Sequence, residues 1–443
     1  MFPPPGSNSA AVQACYSADF HSLSIDANLA VCQMKLVVFA HKPPPLHGQS
    51  YMVQLMLEGF GGDRRKTHRA NNGAERGIEC YHVNARLSKN MEDVGGVRFA
   101  KLFLLVGHCL QAIWCRFRYG ATTLYYVPAP GKTAALYRDW LVMGLCRPFF
   151  KRIVFHWHAT SLAKWLETRT TRAARGLTYR LMGQADLSIV LSKFNRFSAE
   201  KIWPRRIAVV ANGIPDPCTH FETEVLPRRL ARLAARKKLA SGATLTQNEN
   251  DAAGVEPKTV RVLFLAHCTR DKGLFDAVHA TLLANEQLRE EHSPLTLRLE
   301  VAGSFQTTEE KREFDRLRSM PGGHAIHYMG FLQAPTKAQA LLDADLLCFP
   351  SHWENQPVSV IEALAFGLPT VISRLPSVQE MLPTGYAGVA DLKNAEQIAA
   401  ALLQCINYDD FSGLRGHFVE HFTENSFYTH LAAELQTLDA KAA

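Results

Sequence analysis

The amino-acid sequence predicts an α/β fold: two Rossmann-like, doubly wound domains facing each other across a central cleft. Three observations carry that expectation. Short β-branched runs alternate with longer stretches of helical period, the pattern of parallel strands joined by crossover helices. Several runs, such as LVVFA at 36–40 and VLFLA at 262–266, are apolar throughout, as strands covered on both faces must be. The runs fall into two series with a polar stretch between them, so two sheets are expected.

The first series reads as strands at 35–41, 122–129, 152–158, 187–192 and 206–212, and the second as strands at 260–267, 295–303, 324–330, 344–351 and 369–373. With 443 residues the chain has room for two or three domains. The expected division is an extension over 1–33, read as disordered, a first domain over 34–215, a linker or insertion over 216–258, a second domain over 259–415, and a closing segment over 416–443. Within the insertion, LPRRLARLAARKKLA reads as a basic, helix-like surface stretch, and SGATLTQNENDAAG as a polar run without structure. Residues 61–78 read as a further exposed loop.

No basic region followed by an unbroken apolar run opens the chain, so a secretory signal is not expected. The most apolar segment, LFLLVGHCLQAIWC at 102–115, is too short and too polar to span a bilayer and is expected as a buried helix. Ten scattered cysteines, with no C-x-x-C pair, read as reduced thiols of a cytoplasmic protein. Net charge is +8, concentrated in the first domain; from 260 onward acidic residues outnumber basic ones. That asymmetry suits an anionic partner such as a membrane surface met through the basic first domain, with the protein expected in the cytoplasm and peripheral at the membrane's inner face. No nucleic-acid-binding signature accompanies it, so nucleic acid is not an expected partner.

The segment SHWENQPVSVIEALAFGLPTVIS, residues 351–373, concentrates the chemistry. It reads as a strand end, a loop, a helix starting near Val358, then Gly367-Leu368-Pro369 and another strand. In open α/β sheets ligands bind beyond the carboxyl ends of strands. Amides at the helix start, near Val358 and Ser359, offer an anion site for a diphosphate. Glu354 and Glu362, eight residues apart, place two strong acceptors beside it, suited to sugar and ribose hydroxyls.

This segment resembles the donor-site motif of retaining glycosyltransferases of family 4, glycosyltransferase group 1, which have the GT-B fold; the match includes EALAFGLPTV at 362–371. The resemblance implies that Glu354 contacts the donor sugar and Glu362 the nucleotide ribose. Asn355, Gln356 and Pro357 stand where many members have glycines; because Pro357 lacks an N–H, the phosphate-binding amides implied are those of Val358 and Ser359. A second resemblance lies in LFLAHCTRDKG, 263–273, where the family places a basic pair on the donor phosphates: Lys272 matches the lysine, while His267 stands where the arginine usually lies, with Arg270 nearby as a substitute. The Pro-rich loop AHKPPPLHGQSYM at 40–52, containing Gly48, resembles the family's loop that approaches diphosphate and acceptor. His158, at the end of VFHWH, matches a histidine implied to contact the donor sugar, with His156 the alternative on the same strand face. Asn212-Gly213-Ile214 resembles the family's hinge turn, Gly330-Phe331 marks the region of base recognition, and the final stretch resembles a helix that crosses back onto the first domain.

The resemblance implies hexosyl transfer from a nucleoside diphosphate sugar to a saccharide or lipid-linked acceptor, with retention, in polysaccharide or glycoconjugate synthesis. No cofactor or metal is expected. Asp343-Ala344-Asp345 has the spacing of a metal-binding D-x-D, but it precedes its strand and so sits at the wrong end of the sheet. Two alternatives are a GT-B sugar-nucleotide epimerase or hydrolase, and a nucleotide-sugar-binding protein without turnover.

Overall fold

The computed structural model describes residues 34–44, 48–66, 76–86, 99–159, 162–254 and 256–440. The expected extension over 1–33 and much of the loop expected at 61–78 lie outside them.

Six strands form the first sheet: β1 (Met34–Ala40), β2 (Ile78–Asn84), β3 (Thr123–Tyr126), β4 (Arg152–Trp157), β5 (Leu187–Val190) and β6 (Ile207–Val209). All pair in parallel, in the order β2-β1-β3-β4-β5-β6. Around them run α1 (Gly48–Gly59), α2 (Phe99–Tyr119), α3 (Thr133–Cys146), α4 (Leu162–Arg169), α5 (Arg172–Met182) and α6 (Arg196–Glu200). Two helices follow, α7 (Leu226–Ala240) and α8 (Gln247–Ala253).

The second sheet is also all parallel: β7 (Thr259–Leu265), β8 (Thr296–Ala302), β9 (Ile326–Gly330), β10 (Leu346–Phe349), β11 (Thr370–Ser373) and β12 (Val389–Ala390). Its order, β12-β11-β10-β7-β8-β9, is that of the Rossmann sheet, with the chain reversing direction between β7 and β10. Helices α9 (Leu274–Glu290), α10 (Thr308–Arg318), α11 (Ala334–Asp343), α12 (Val358–Ala365), α13 (Pro376–Gln379), α14 (Ala395–Cys405) and α15 (Phe411–His421) surround it, and α16 (Glu424–Ala440) closes the chain.

Both faces of each sheet are covered. Val37 and Phe39 of β1 pack into one apolar cluster with Leu105 of α2 and Val142 of α3, while Leu36 and Val38 point the other way, toward Met52 of α1. That inner cluster continues through Leu347 and Val360 of the second domain and Leu431 of α16. The terminal helix therefore lies on the first domain: Tyr428 fills the place a side chain at residue 59 would need, and Arg206 donates to the Glu434 carbonyl at 2.7 Å.

Four expectations are corrected. Strand β2 was not anticipated: its sequence, IECYHVN, carries polar residues, yet Glu79 and His82 are buried because Tyr81 and Arg64 hold the one and the Ala40 carbonyl the other. The run read as structureless contains α8, nucleated by a capping box in which Thr246 and Glu249 satisfy each other's backbone N–H. The stretch read as a surface insertion packs as α7, whose buried face is arginine: Arg229 donates to the carbonyls of Phe366, Ala344 and Leu341, and Arg232 and Arg236 both bond Asp345, at 2.7 and 2.5 Å. Finally, α2 is half exposed. Leu105, Cys109, Ala112 and Cys115 are buried, while Phe103, Leu110, Trp114 and Phe117 face outward.

Candidate site at the interdomain cleft

The reversal point between β7 and β10 is where an open sheet of this order forms its crevice, because the flanking loops diverge there. Gly273, after β7, sits at φ 76°, and a Cβ on it would lie 2.1 Å from the Pro350 carbonyl oxygen. Only glycine lets the β7 loop press against the end of β10. Further bonds stitch the two loops: His352 N–H to the Asp271 carbonyl at 2.8 Å, and His352 Nε2 to Asp276 at 2.6 Å. This brings Lys272 Nζ into an ion pair with Glu354 Oε1, a pair mostly shielded from solvent. The Glu354 carbonyl is fixed in turn by the Ser377 hydroxyl at 2.9 Å.

Beyond Glu354, Pro357 caps α12 without a side-chain acceptor. The first intrahelical bonds run from Val360 and Ile361 to the Pro357 carbonyl, so the amides of Val358 and Ser359 precede the ladder and stand at the positive end of the helix. One turn on, Glu362 is buried and ion-paired with Lys337 of α11. Burial pushes its carboxyl above the usual range, with Lys337 opposing that rise. Tyr51 of α1 approaches from the first domain: its phenol is pushed up to about 12, by burial first and then by the charge of Glu362.

Lys272, Glu354, Glu362 and the start of α12 thus share one end of the second sheet. Arg270 does not join them. Its guanidinium pairs with Glu313 and lies over the Phe275 ring at 4.8 Å, so it is held on the outer side of the loop. His267 is closer to the group; its pKa is lowered by burial and then by the charge of Lys272, and its Nδ1 lies 3.1 Å from Gln306 Nε2.

Asn355 and Gln356, read from sequence as donor ligands, have their side chains engaged between the domains. The Asn355 amide accepts from Asn195 and donates to the His158 carbonyl at 3.3 Å. Gln356 Oε1 accepts from the Asn212 N–H at 2.5 Å, and its carbonyl accepts from Asn212 Nδ2 at 3.3 Å. Asn212 belongs to the turn read as a hinge, and a Cβ on neighbouring Gly213 would meet the Thr423 carbonyl oxygen at 2.2 Å.

On the facing rim, His158 follows β4, half-buried, with its ring 4.3 Å from that of His156. His156 is a core group: fully buried, bonded through Nδ1 to the Tyr125 hydroxyl, and held neutral because burial drives its pKa far down. Gly48 opens α1, and a Cβ there would meet nothing within 4 Å. Gly330 takes φ 74° and Phe331 beside it is exposed. Asp343 and Asp345 lie before β10, away from this end, with Asp343 paired to Arg228 and Asp345 to the α7 arginines. Among the described residues no group of three His, Cys, Asp or Glu is placed to hold a metal.

No pattern along the chain marks Lys337, whose pairing with Glu362 depends only on α11 lying beside α12. Asn195 was equally hidden. Tyr51 stood inside the Pro-rich segment but carried no pattern of its own.

Residues 246–420 match the model for glycosyl transferases group 1. Over 114 residues the chain is 32% identical to the phosphatidyl-myo-inositol mannosyltransferase of Mycolicibacterium smegmatis, a match covering 25% of this chain and 29% of that protein. Over 215 residues it is 24% identical to a putative colanic acid biosynthesis glycosyltransferase, WcaL, of Salmonella typhimurium, covering 44% of this chain and 50% of that one. The chain thus spans half or less of the length of these curated relatives. Among solved structures, sucrose-phosphate synthase from Thermosynechococcus elongatus superposes with a TM-score of 0.62 at 13% identity, covering 92% of this chain and 100% of that one. Anabaena HepE in complex with UDP and glucose superposes with a TM-score of 0.57 at 14% identity, covering 90% and 99%. At such identities the likeness is one of fold, and the fold is GT-B. The chain thus has the GT-B fold, and its residues 246–420 are similar to glycosyl transferases group 1.

Proposed function

We propose that the chain transfers a hexosyl group from a nucleoside diphosphate sugar to a hydroxyl of a saccharide or lipid-linked acceptor, with retention of anomeric configuration, in polysaccharide or glycoconjugate synthesis. The observation that carries this reading is the convergence of Lys272, Glu354, Glu362 and the leading amides of α12 at the sheet's reversal point. A diphosphate there meets a helix N-terminus and a lysine that can exchange its carboxylate for a phosphate oxygen. Glu354, once released, accepts from a sugar hydroxyl, and Glu362 from a ribose hydroxyl. His158 approaches the sugar from the opposite rim.

In the reaction proposed, the bond from the anomeric carbon to the diphosphate oxygen breaks as the acceptor oxygen bonds that carbon on the same face. The acceptor proton passes to the leaving phosphate. No side chain needs to bond the sugar covalently. The protein contributes positioning and neutralises the charge that develops on the diphosphate. The match to group 1 over 246–420 supports this reading for the domain that would hold the donor, and the solved neighbour holding UDP and glucose supports the donor class.

A thermal-shift screen of UDP-, GDP- and ADP-sugars tests it, since a ligand that binds the native state raises Tm by mass action. One of these donors should stabilise the wild type. Lys272→Ala should abolish most of that shift, and Glu354→Ala should lower diphosphate release by roughly 100-fold or more. Stabilisation by no donor, or Lys272→Ala that binds like the wild type, overturns the reading.

A further inference from the structure

We propose that the outward face of α2 is a docking surface for an anionic lipid bilayer. Phe103, Leu110, Trp114 and Phe117 are 76%, 61%, 52% and 66% exposed. Their spacings of seven, four and three residues place them within about 60° of arc on a helix turning 100° per residue. The stripe that anchors α2 to its own domain, Leu105, Cys109, Ala112 and Cys115, is on the opposite side. The helix is therefore apolar on two faces, and its first domain covers one of them. The second face continues onto Phe149, itself exposed, whose ring meets Phe117 edge-on at 6.1 Å. Scattered exposed apolar residues are ordinary; a continuous stripe along a 21-residue helix marks a surface that meets something apolar.

Charge selects the partner. From 99 to 182 the sequence holds 13 lysines and arginines and two acidic residues, Asp139 and Glu167. Asp139 is buried against Arg138, and Glu167 pairs with Lys201. Arg118 flanks the apolar stripe, and Lys132 and Lys151 are exposed on the same domain. A second copy docked on α2 would bring two of these basic domains together, because a twofold contact repeats one patch on both partners. Lipid headgroups carrying negative charge complement it instead, with aromatic and leucine side chains entering the headgroup boundary and long basic side chains reaching the phosphates. The mode is interfacial: among the described residues no helix is long and apolar enough to cross a membrane.

This inference requires only the surface of α2, so it stands or falls apart from the transferase reading. The test is flotation of the full chain with vesicles of phosphatidylglycerol and phosphatidylcholine, beside vesicles of phosphatidylcholine alone. The wild type should float with the anionic vesicles at low salt and progressively less as salt rises. Phe103→Ser/Phe117→Ser, two exposed positions, should lower the bound fraction about tenfold while leaving the Tm and any donor-induced shift unchanged. A wild type that ignores anionic vesicles, or a variant that floats equally well, overturns the proposal. So does a wild-type dimer that the variant converts to monomer without altering flotation, which would give the face to a second copy. Loss of the donor-induced shift in the wild type would strike the transferase reading and leave this one intact.

Discussion

The two domains have six parallel strands each, yet they line the cleft with different chemistry. Behind its rim, where His158 stands, the first holds imidazoles that burial keeps neutral: His82 against the Ala40 carbonyl and His156 against the Tyr125 hydroxyl. The second presents lysine–carboxylate pairs, Lys272 with Glu354 and Lys337 with Glu362. Buried neutral rings bonded to their own domain serve the scaffold, whereas paired charges suit a ligand that can enter by exchanging one ion pair for another. The segment that matches a family model, 246–420, is the charged side. Charge recognition needs particular residues at particular positions and so leaves a readable pattern; packing of neutral rings accepts many sequences.

The largest expected effect tests whether the second domain depends on buried charge. Asp345→Ala strands Arg232 and Arg236, both nearly inaccessible to solvent, and should cost about 3–5 kcal/mol in denaturant-induced unfolding. A loss below about 1 kcal/mol would mean that α7 holds through its packing and carbonyl contacts, erasing this half of the contrast.

The neutral side is tested by pH. Burial lowers the His82 pKa to about 4 from its ordinary 6.5. As pH falls through 6.5 the unfolded chain takes up this proton and the native state does not. Stability present above 6.5 is therefore lost progressively down to about pH 4, by about 3 kcal/mol in all. In His82→Gln that share of the decline should vanish from Tm measured against pH; an unchanged slope would show that His82 titrates in the folded protein as it does in water.

The smallest effect concerns the seam between the two chemistries. Asn355→Ala removes the amide shared with Asn195 and the His158 carbonyl and should cost about 1 kcal/mol. It should also increase the radius of gyration in solution scattering by letting the cleft open. A profile identical to wild type would mean that these bonds do not hold the domains together.

The alternation of strands and helices was legible because strands buried on both faces, such as β1 and β7, have little choice but apolar residues. Strand β2 escaped because its polar side chains find partners only once the sheet has formed. The glutamate pair was visible as spacing along the chain, and Lys272 through its resemblance to the family's phosphate-binding lysine. Lys337 was not, because its neighbourhood is created by two helices meeting in space. The arginines of α7 read as a solvated face, since nothing in LPRRLARLAARKKLA reveals that Asp345 waits at the foot of β10. Their spacing at 229, 232 and 236, one helix face, was the available signal. The outward stripe of α2 was hidden by composition: apolar content locates a helix but does not say which of two apolar faces the fold will cover.

The chain passes between the domains twice, near Ile214 and near Thr423, and the two passages are laced by backbone bonds of 2.9 Å, from Ile214 N–H to the Phe422 carbonyl and from Glu424 N–H to the Ile214 carbonyl. With α7 riveted to the second sheet and α16 laid on the first, little slack is left on either side. Two bodies joined at adjacent points behave like a door on a pin. They can swing about the line through the joint, but sliding or twisting would tear those bonds. The mechanical consequence is that rotation about Ile214 is the motion these bonds permit, and the bridge from Asn355 to the His158 carbonyl is what such a rotation would have to break.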